Sequence, residues 1–346
     1  MGDSRWLGNA LPGAGSSAPV PRPVPFTMRA MNTIPATLAL HGGAGTILRE
    51  TTLPAVEQAY LDALQDILRA GEQLLARGAP ALDVVVECVR LLEENERFNA
   101  GRGAVYTADA THELDASVMD GHTRRAGAVA GLRSTRNPVR AARAVMEASG
   151  HVMLIGAAAD AFAAAQGLEQ VPPDWFGTPE RLAQLRRAQG VGEAAILDHD
   201  GAQPPLDERQ KFGTVGAVAL DAQGRLAAAT STGGMTNKRP GRVGDSPILG
   251  AGCYADGTVA VSCTGTGEAF MRAVAAHEVS AQMRYLGRSL AEAAGDVVDT
   301  QLPAVGGQGG LIAVSHTGEV CLPFNTEGMY RGWVRCGQGP EARIFR

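Results

Sequence analysis

A polar stretch at residues 167–212 divides this 346-residue chain into a helix-rich part and a strand-rich part. It contains Val171-Pro-Pro-Asp, Asp198-His-Asp-Gly and Gln203-Pro-Pro-Leu-Asp-Glu-Arg-Gln, and a helical pattern survives in it only near residues 179–189. It reads as a linker with an embedded helix. Ahead of it, Thr37-Leu-Ala-Leu-His41 is a short apolar run ending in Gly42-Gly-Ala-Gly45, the pattern of a buried strand feeding a tight glycine loop. Pro54 opens a helix with Leu61, Leu64, Leu68 and Leu75 at helical spacing, and a second helix covers about 81–94. A strand at 127–133 and helices at 138–149 and 155–166 complete this part. Beyond the linker, residues 214–220 and 225–231 flank the turn Asp221-Ala-Gln-Gly224 as a hairpin. A strand at 258–264, helices at 268–285 and 289–302, and a hairpin of 310–315 with 319–323 follow. The expected order is βααβαα, linker, βββααββ. Paired strands alternating with paired helices favour an α+β fold, with helices outside two packed sheets.

Residues 1–35 are rich in Pro, Gly, Ala and Ser and lack the basic start and apolar run of a secretory signal. They are expected to be a disordered extension, which leaves 36–346 as a single domain. The net charge of −5 arises from interspersed charges with no Lys/Arg stripe, which argues against a nucleic-acid partner. No apolar run reaches the roughly 18–20 residues of a membrane span. Cys88, Cys253, Cys263, Cys321 and Cys336 form no CxxC pair and no cluster of zinc-ligand spacing, a pattern that suggests reduced thiols in a cytoplasm.

Familiar catalytic devices are missing. There is no GxSxG elbow, no Walker loop and no GxGxxG loop, and Gly101-Arg-Gly103 follows no strand. Of seven histidines only His41 and His112 stand in glycine-rich or polar loop context. What stands out is hydroxyl density: Thr214, Thr230, Ser231, Thr232, Thr236, Thr264 and Thr266. Threonine favours strands, which accounts for part of this. Two details go further. Gly213-Thr214 joins the polar linker to an apolar strand, and the long loop at 233–245 carries Arg242 and Asp245 three residues apart.

Several long motifs then become recognisable in order along the chain. They are His41-Gly-Gly-Ala-Gly, Phe98-Asn-Ala-Gly-Arg-Gly-Ala-Val, Glu113-Leu-Asp-Ala-Ser-Val-Met-Asp-Gly and Gly213-Thr-Val-Gly-Ala-Val-Ala-Leu. Further on come Thr230-Ser-Thr-Gly-Gly-Met-Thr-Asn-Lys, Pro240-Gly-Arg-Val-Gly-Asp-Ser-Pro and Ser262-Cys-Thr-Gly-Thr-Gly-Glu. Over residues 37–346 the sequence resembles the plant-type L-asparaginase/isoaspartyl peptidase family of N-terminal-nucleophile hydrolases.

The resemblance implies a four-layer αββα sandwich made as a precursor. Cleavage between Gly213 and Thr214 would leave an α subunit ending at residue 213 and a β subunit of 214–346. A threonine hydroxyl is a weak nucleophile, and cleavage gives it its own α-amine as a base. A free α-amine has a reference pKa near 8, close enough to neutrality to accept a proton. By resemblance Thr214 is the nucleophile, Thr232 orients it, and Thr264 and the Gly265 N–H form the oxyanion hole. Arg242 matches the residue that grips a substrate α-carboxylate. Asp245 and the Gly267 carbonyl match partners of the α-ammonium, and Asn99 a residue holding a hydroxyl or water. The substrates implied are L-asparagine and β-aspartyl dipeptides.

The resemblance implies no cofactor for catalysis. It does imply a structural sodium ion held by backbone carbonyls of Leu92, Glu93, Asn95, Phe98, Ala100 and Arg102, although Asn95-Glu96-Arg97 departs from the commoner apolar run there. It also implies an (αβ)₂ assembly. Rival readings are a glycosylasparaginase of the same superfamily, whose precursor usually has Asp where this chain has Gly213, a threonine-aspartase protease, and an unprocessed protein that only binds aspartate-like ligands.

Overall fold

The computed structural model describes residues 34–50, 52–190 and 213–346. The expected extension and much of the expected linker lie outside the described residues, at 1–33 and 191–212. The first elements are β1 (Thr37–Gly45), α1 (Pro54–Ala76) and α2 (Ala81–Glu93). Pro54 supplies the fixed φ that suits a first helical residue, and Tyr60, Leu64, Leu68 and Leu75 lie on the buried stripe of α1. Next come β2 (Leu114–Asp120), β3 (Ala126–Leu132), α3 (Pro138–Ala148), β4 (Met153–Ile155), α4 (Gly156–Ala165) and α5 (Pro179–Gly190). After residue 213 the chain forms β5 (Val215–Leu220), β6 (Leu226–Thr232), β7 (Cys253–Ala255) and β8 (Val259–Gly265). Helices α6 (Gly267–Ala273), α7 (Ala275–Leu286) and α8 (Leu290–Asp296) follow. The chain ends with β9 (Gly309–Ser315), β10 (Val320–Cys321), β11 (Gly328–Arg335) and β12 (Glu341–Phe345).

Among the described residues the fold is mixed α and β with two sheets. Eight strands lie in the order β12-β11-β1-β5-β6-β2-β3-β4, and four in the order β10-β9-β8-β7. Pairing is antiparallel except between β3 and β4. Helices α1, α2 and α3 contact the larger sheet, α7 and α8 contact the smaller one, and β1, β5 and β6 touch β8 or β9.

Strand alternation decides which side chains go where. Leu38 and Leu40 of β1, Ala217 and Ala219 of β5 and Ala229 of β6 join one core with α1–α3. Their neighbours Ala39, Val218, Leu220 and Ala228 join the other, with β7–β9 and α7–α8. The same alternation puts His41, Thr214, Thr230 and Thr232 on the side of the second core. These three hydroxyls and His41 therefore gather where the strands of the two sheets meet.

Five strands were not expected from the pattern: β2, β4, β7, β11 and β12. In β2 the buried polar residues Asp115 and Ser117 hide the strand character. Asp115 Oδ1 accepts from Gly131 N at 2.8 Å, and Ser117 Oγ donates to Ser246 O at 2.6 Å. In β11 the buried Arg331 donates to the carbonyls of Met329, Ile344 and Phe345. The expected helix 268–285 is broken at Val274, which adopts φ 50° and separates α6 from α7. The helix expected to end at 302 passes into a π-helical turn at Val297–Gln301.

Gly127 of β3 is crossed closely by α3. A Cβ there would stand 2.0 Å from Ala142 O and 2.7 Å from Met146 N. Gly127→Ala is therefore expected to push α3 outward and cost about 1–3 kcal/mol, the usual range for overpacking. Urea unfolding checks this, and an unchanged midpoint would show that α3 does not lie so close.

Candidate active site

Thr214 stands just ahead of β5, a strand paired to β1 on one edge and β6 on the other. Its hydroxyl donates to Thr232 Oγ1 at 3.1 Å, and Ser246 Oγ lies 3.4 Å away. Thr232 Oγ1 also accepts from Gly234 N at 2.9 Å, which fixes it at the end of β6. Thr214 and Thr232 are both buried.

A buried hydrogen-bonded chain holds the other end of Thr214. His41 Nδ1 lies 2.9 Å from the Thr214 carbonyl, and Nε2 lies 2.8 Å from Ser262 Oγ. Burial pushes the His41 pKa down to about 3, against the raising effect of the Thr214 bond, so the ring is neutral. A carbonyl can only accept, so the single ring proton belongs on Nδ1. Ser262 then donates to Nε2, and Thr230 Oγ1 lies 2.7 Å from Ser262 Oγ and 3.1 Å from the Gly252 carbonyl, the two groups that share its one proton. Gly216 leaves room for this chain: a Cβ there would stand 2.0 Å from Ser262 Oγ and 2.4 Å from His41 Nε2.

Gly213 rests against Gly43, which has φ 116°. A Cβ on Gly43 would stand 2.4 Å from Gly213 N, so only glycine fits on both conformational and steric grounds. Thr264 Oγ1 accepts from Ala44 N at 3.2 Å, which leaves its own proton for another acceptor. Gly265 follows with φ 148°, and a Cβ there would stand 2.3 Å from Gln308 O.

Arg242 and Asp245 meet at Gly267. A Cβ on Gly267 would stand 2.8 Å from Arg242 Nη2 and 3.0 Å from Asp245 Oδ1. Arg242 pairs side-on with Glu268, with Nε and Nη2 each 2.9 Å from a carboxylate oxygen. Asp245 is buried, and its Oδ2 has no hydrogen-bond partner. Burial pushes its pKa up to about 7, while the charge of Arg242 pulls it down.

Asn99 is committed to backbone groups. Its Nδ2 donates to Gly234 O at 2.8 Å and its Oδ1 accepts from Val105 N at 3.0 Å. It thereby ties the 99–105 loop to the turn after Thr232. In the 92–102 loop, Leu92 O, Glu93 O and Asn95 O accept from the backbone N–H groups of Asn95, Arg102 and Phe98. Gly101 and Gly103 close it: a Cβ on the first would stand 2.5 Å from Glu93 O, and on the second 2.7 Å from Phe98 O. Among the described residues no group of three or more His, Cys, Asp or Glu could hold a metal ion, and the five cysteines are free. No helix among them is long and apolar enough to cross a membrane.

Ser246, Ser262, Thr230 and Glu268 carry no role in the sequence reading, although all lie inside recognisable motifs. The available signal was strand parity, which places Thr230 and Thr232 on one face of β6 and Ser231 on the other.

The sequence that builds this site is similar to those of known proteins. The sequence model described as asparaginase matches residues 34–343. The isoaspartyl peptidase of Escherichia coli is 61% identical over 312 residues, covering 90% of this chain and 96% of that protein. The isoaspartyl peptidase of Salmonella typhimurium is 59% identical, with 90% and 99% covered. The isoaspartyl peptidase/L-asparaginase of Danio rerio is 41% identical, with 87% and 92% covered. The chain belongs to the asparaginase family.

His41 makes a pH prediction. Its folded pKa of about 3 lies below the ordinary value of 6.5. The stability it contributes is therefore present above pH 6.5 and is lost as pH falls from there toward 3. The loss is at most about 1.4 kcal/mol per pH unit. In the Thr214→Ala chain, adding His41→Gln should flatten the fall of the urea midpoint between pH 6.5 and 4.5. Equal slopes would mean that His41 takes up its proton in the native state.

Proposed function

We propose that this chain is an autoprocessing N-terminal-threonine amidohydrolase that hydrolyses L-asparagine and β-aspartyl dipeptides. The observation that carries this is the Thr214 hydroxyl, held by Thr232 at 3.1 Å immediately after Gly213. The names of the E. coli and Danio rerio relatives support the substrate class. The fold is that of a four-layer αββα N-terminal-nucleophile hydrolase, which the contacts of the two sheets and their separate helix groups support.

In maturation, Thr214 Oγ attacks the Gly213 carbonyl carbon. The C–N bond breaks with its electron pair going to nitrogen, which takes up a proton, and water then hydrolyses the resulting ester. The products are residues 1–213 and 214–346. They stay together because β5 and β6 are paired to β1 and β2.

In turnover, the freed Thr214 amine takes the hydroxyl proton and Oγ attacks the side-chain amide carbon of the substrate. The Thr264 hydroxyl and the Gly265 N–H stabilise the oxyanion; removing one such donor typically costs about 10²–10³ in rate. The leaving amine, ammonia or an amino acid, departs with a proton. Water then cleaves the β-aspartyl ester on Thr214 and releases aspartate. Thr232 orients Oγ, and His41 holds the Thr214 carbonyl throughout.

Arg242 binds the substrate α-carboxylate through the Nη1/Nη2 edge that Glu268 leaves open, a geometry suited to a planar fork. Asp245 Oδ2, with no partner of its own, accepts the α-ammonium together with the Gly267 carbonyl. L-asparagine and β-aspartyl dipeptides share this charged end. An α-aspartyl peptide has its α-carboxyl tied up in the amide, so it leaves the Nη1/Nη2 edge of Arg242 without a carboxylate. Asn99 acts by fixing the loop that borders Thr232.

The 92–102 loop fits a sodium ion held by the carbonyls of Leu92, Glu93, Asn95, Phe98, Ala100 and Arg102. The family resemblance and the chemistry of the donors support this: Gly101 and Gly103 let the backbone pack tightly against Glu93 O and Phe98 O, and each carbonyl already accepting one bond has a second lone pair. The ion would brace the loop that carries Asn99. The mature unit is an (αβ)₂ assembly in the cytoplasm, a reading that rests on the family resemblance and the free cysteines.

Processing needs no substrate carboxylate. Arg242→Ala should therefore mature into two fragments and then lose kcat/KM on asparagine and β-Asp-Leu by similar factors. Stranding a charged partner costs about 2–5 kcal/mol. A loss on only one substrate would show that Arg242 does not read the shared charged end.

A further inference from the structure

Arg242 and Asp245 present a problem that the reading above leaves open. The site must offer a free cation and a free anion to a zwitterion, yet the two groups lie close together at Gly267. Both lie within 3.0 Å of the point where a Cβ on Gly267 would stand, so they are within about 6 Å of each other. Asp245 is buried with an oxygen that lacks a hydrogen-bond partner, and Arg242 lies on a flexible stem. Left to themselves, such groups collapse into an ion pair and fill the space meant for the ligand.

They do not collapse here. Arg242 instead pairs with Glu268, the residue after Gly267 in the first turn of α6. The contact uses both carboxylate oxygens, at 2.9 Å each, against Nε and Nη2. It fixes the guanidinium plane and leaves the Nη1/Nη2 edge for a second carboxylate. Glu268 is half-exposed, its side chain 52% accessible against 17% for Arg242. Its charge is therefore largely screened by water, and it repels an incoming carboxylate weakly. Partial burial pushes the Glu268 carboxyl up, but the hydrogen bonds and charge of Arg242 outweigh this and keep it below the usual range.

We infer that Glu268 is a positioning residue that holds Arg242 off Asp245, so that both recognition charges stay open to the substrate. This rests on the assignment of Arg242 and Asp245 to the substrate α-carboxylate and α-ammonium. Glu268 touches neither the substrate nor Thr214, and its effect is on binding.

The test uses the full-length chain, matured, with L-asparagine as substrate. Glu268→Gln should raise KM by about tenfold while kcat changes by less than about threefold, the signature of lost pre-organisation. Glu268→Asp, which keeps the charge but shortens the reach, should recover part of the loss. In an Arg242→Ala background, Glu268→Gln should add nothing, because there is no longer a guanidinium to restrain. A crystal structure of the Glu268→Gln protein should show an Arg242 nitrogen within 4 Å of an Asp245 oxygen. A KM that is unchanged or lower, a loss confined to kcat, or an Arg242 that stays in place would each overturn the inference. Wild-type KM in Arg242→Ala alone would instead refute the carboxylate-binding assignment beneath it.

Discussion

The proposed chemistry depends on one conflict being resolved: the nucleophile must be a chain end, and chain ends fray. Thr214 avoids fraying because the strand it introduces is gripped on both edges, by β1 and by β6. Its carbonyl is fixed by His41 and its hydroxyl by Thr232, so the residue is held at two points besides the sheet. A cut before Thr214 would free the amine without releasing either hold. The neutral His41 ring suits this task, because burial keeps it uncharged and the Thr214 carbonyl holds its proton on Nδ1, with Ser262 Oγ at Nε2.

The surroundings of the site hold several buried ionisable groups. Asp245, Asp115 and Glu93 are buried, and each has a carboxylate oxygen without a hydrogen-bond partner. Burial raises all three above their ordinary range. Lys238 is buried too and donates to Glu113 O at 2.7 Å; burial lowers its pKa. Such groups cost stability, and they gather where function demands unsatisfied partners. In the proposed function Asp245 offers its open oxygen to the substrate ammonium. Glu93 braces the scaffold instead: its Oε1 accepts from Ser231 Oγ and Val139 N, joining α2 to β6 and α3.

The sequence announced β1, α1, α2, the β5–β6 hairpin and the β9–β10 hairpin, because each has clean periodicity and a glycine or proline at its boundary. It concealed β2 and β11, where Asp115, Ser117 and Arg331 are polar yet buried and their partners are distant in sequence. The break at Val274 was hidden as well, since a left-handed valine leaves no mark in an amphipathic pattern. Thr214, Arg242 and Asp245 enter the proposal through motif resemblance, and the structure gathers Arg242 and Asp245 at Gly267. Glu268 stood in the same motif as Gly265 and Gly267, but its proposed role depends on where Asp245 lies, and that is a tertiary fact.

The most direct measurement is of the covalent intermediate. The matured protein is mixed with L-asparagine, quenched in acid within the first turnovers, and the smaller fragment is weighed and mapped by mass spectrometry. The account predicts that it begins at Thr214 and carries one aspartyl group as an ester on that residue. A fragment that forms no adduct on any quench timescale, or one that carries the group on a different side chain, would contradict Thr214 as the nucleophile.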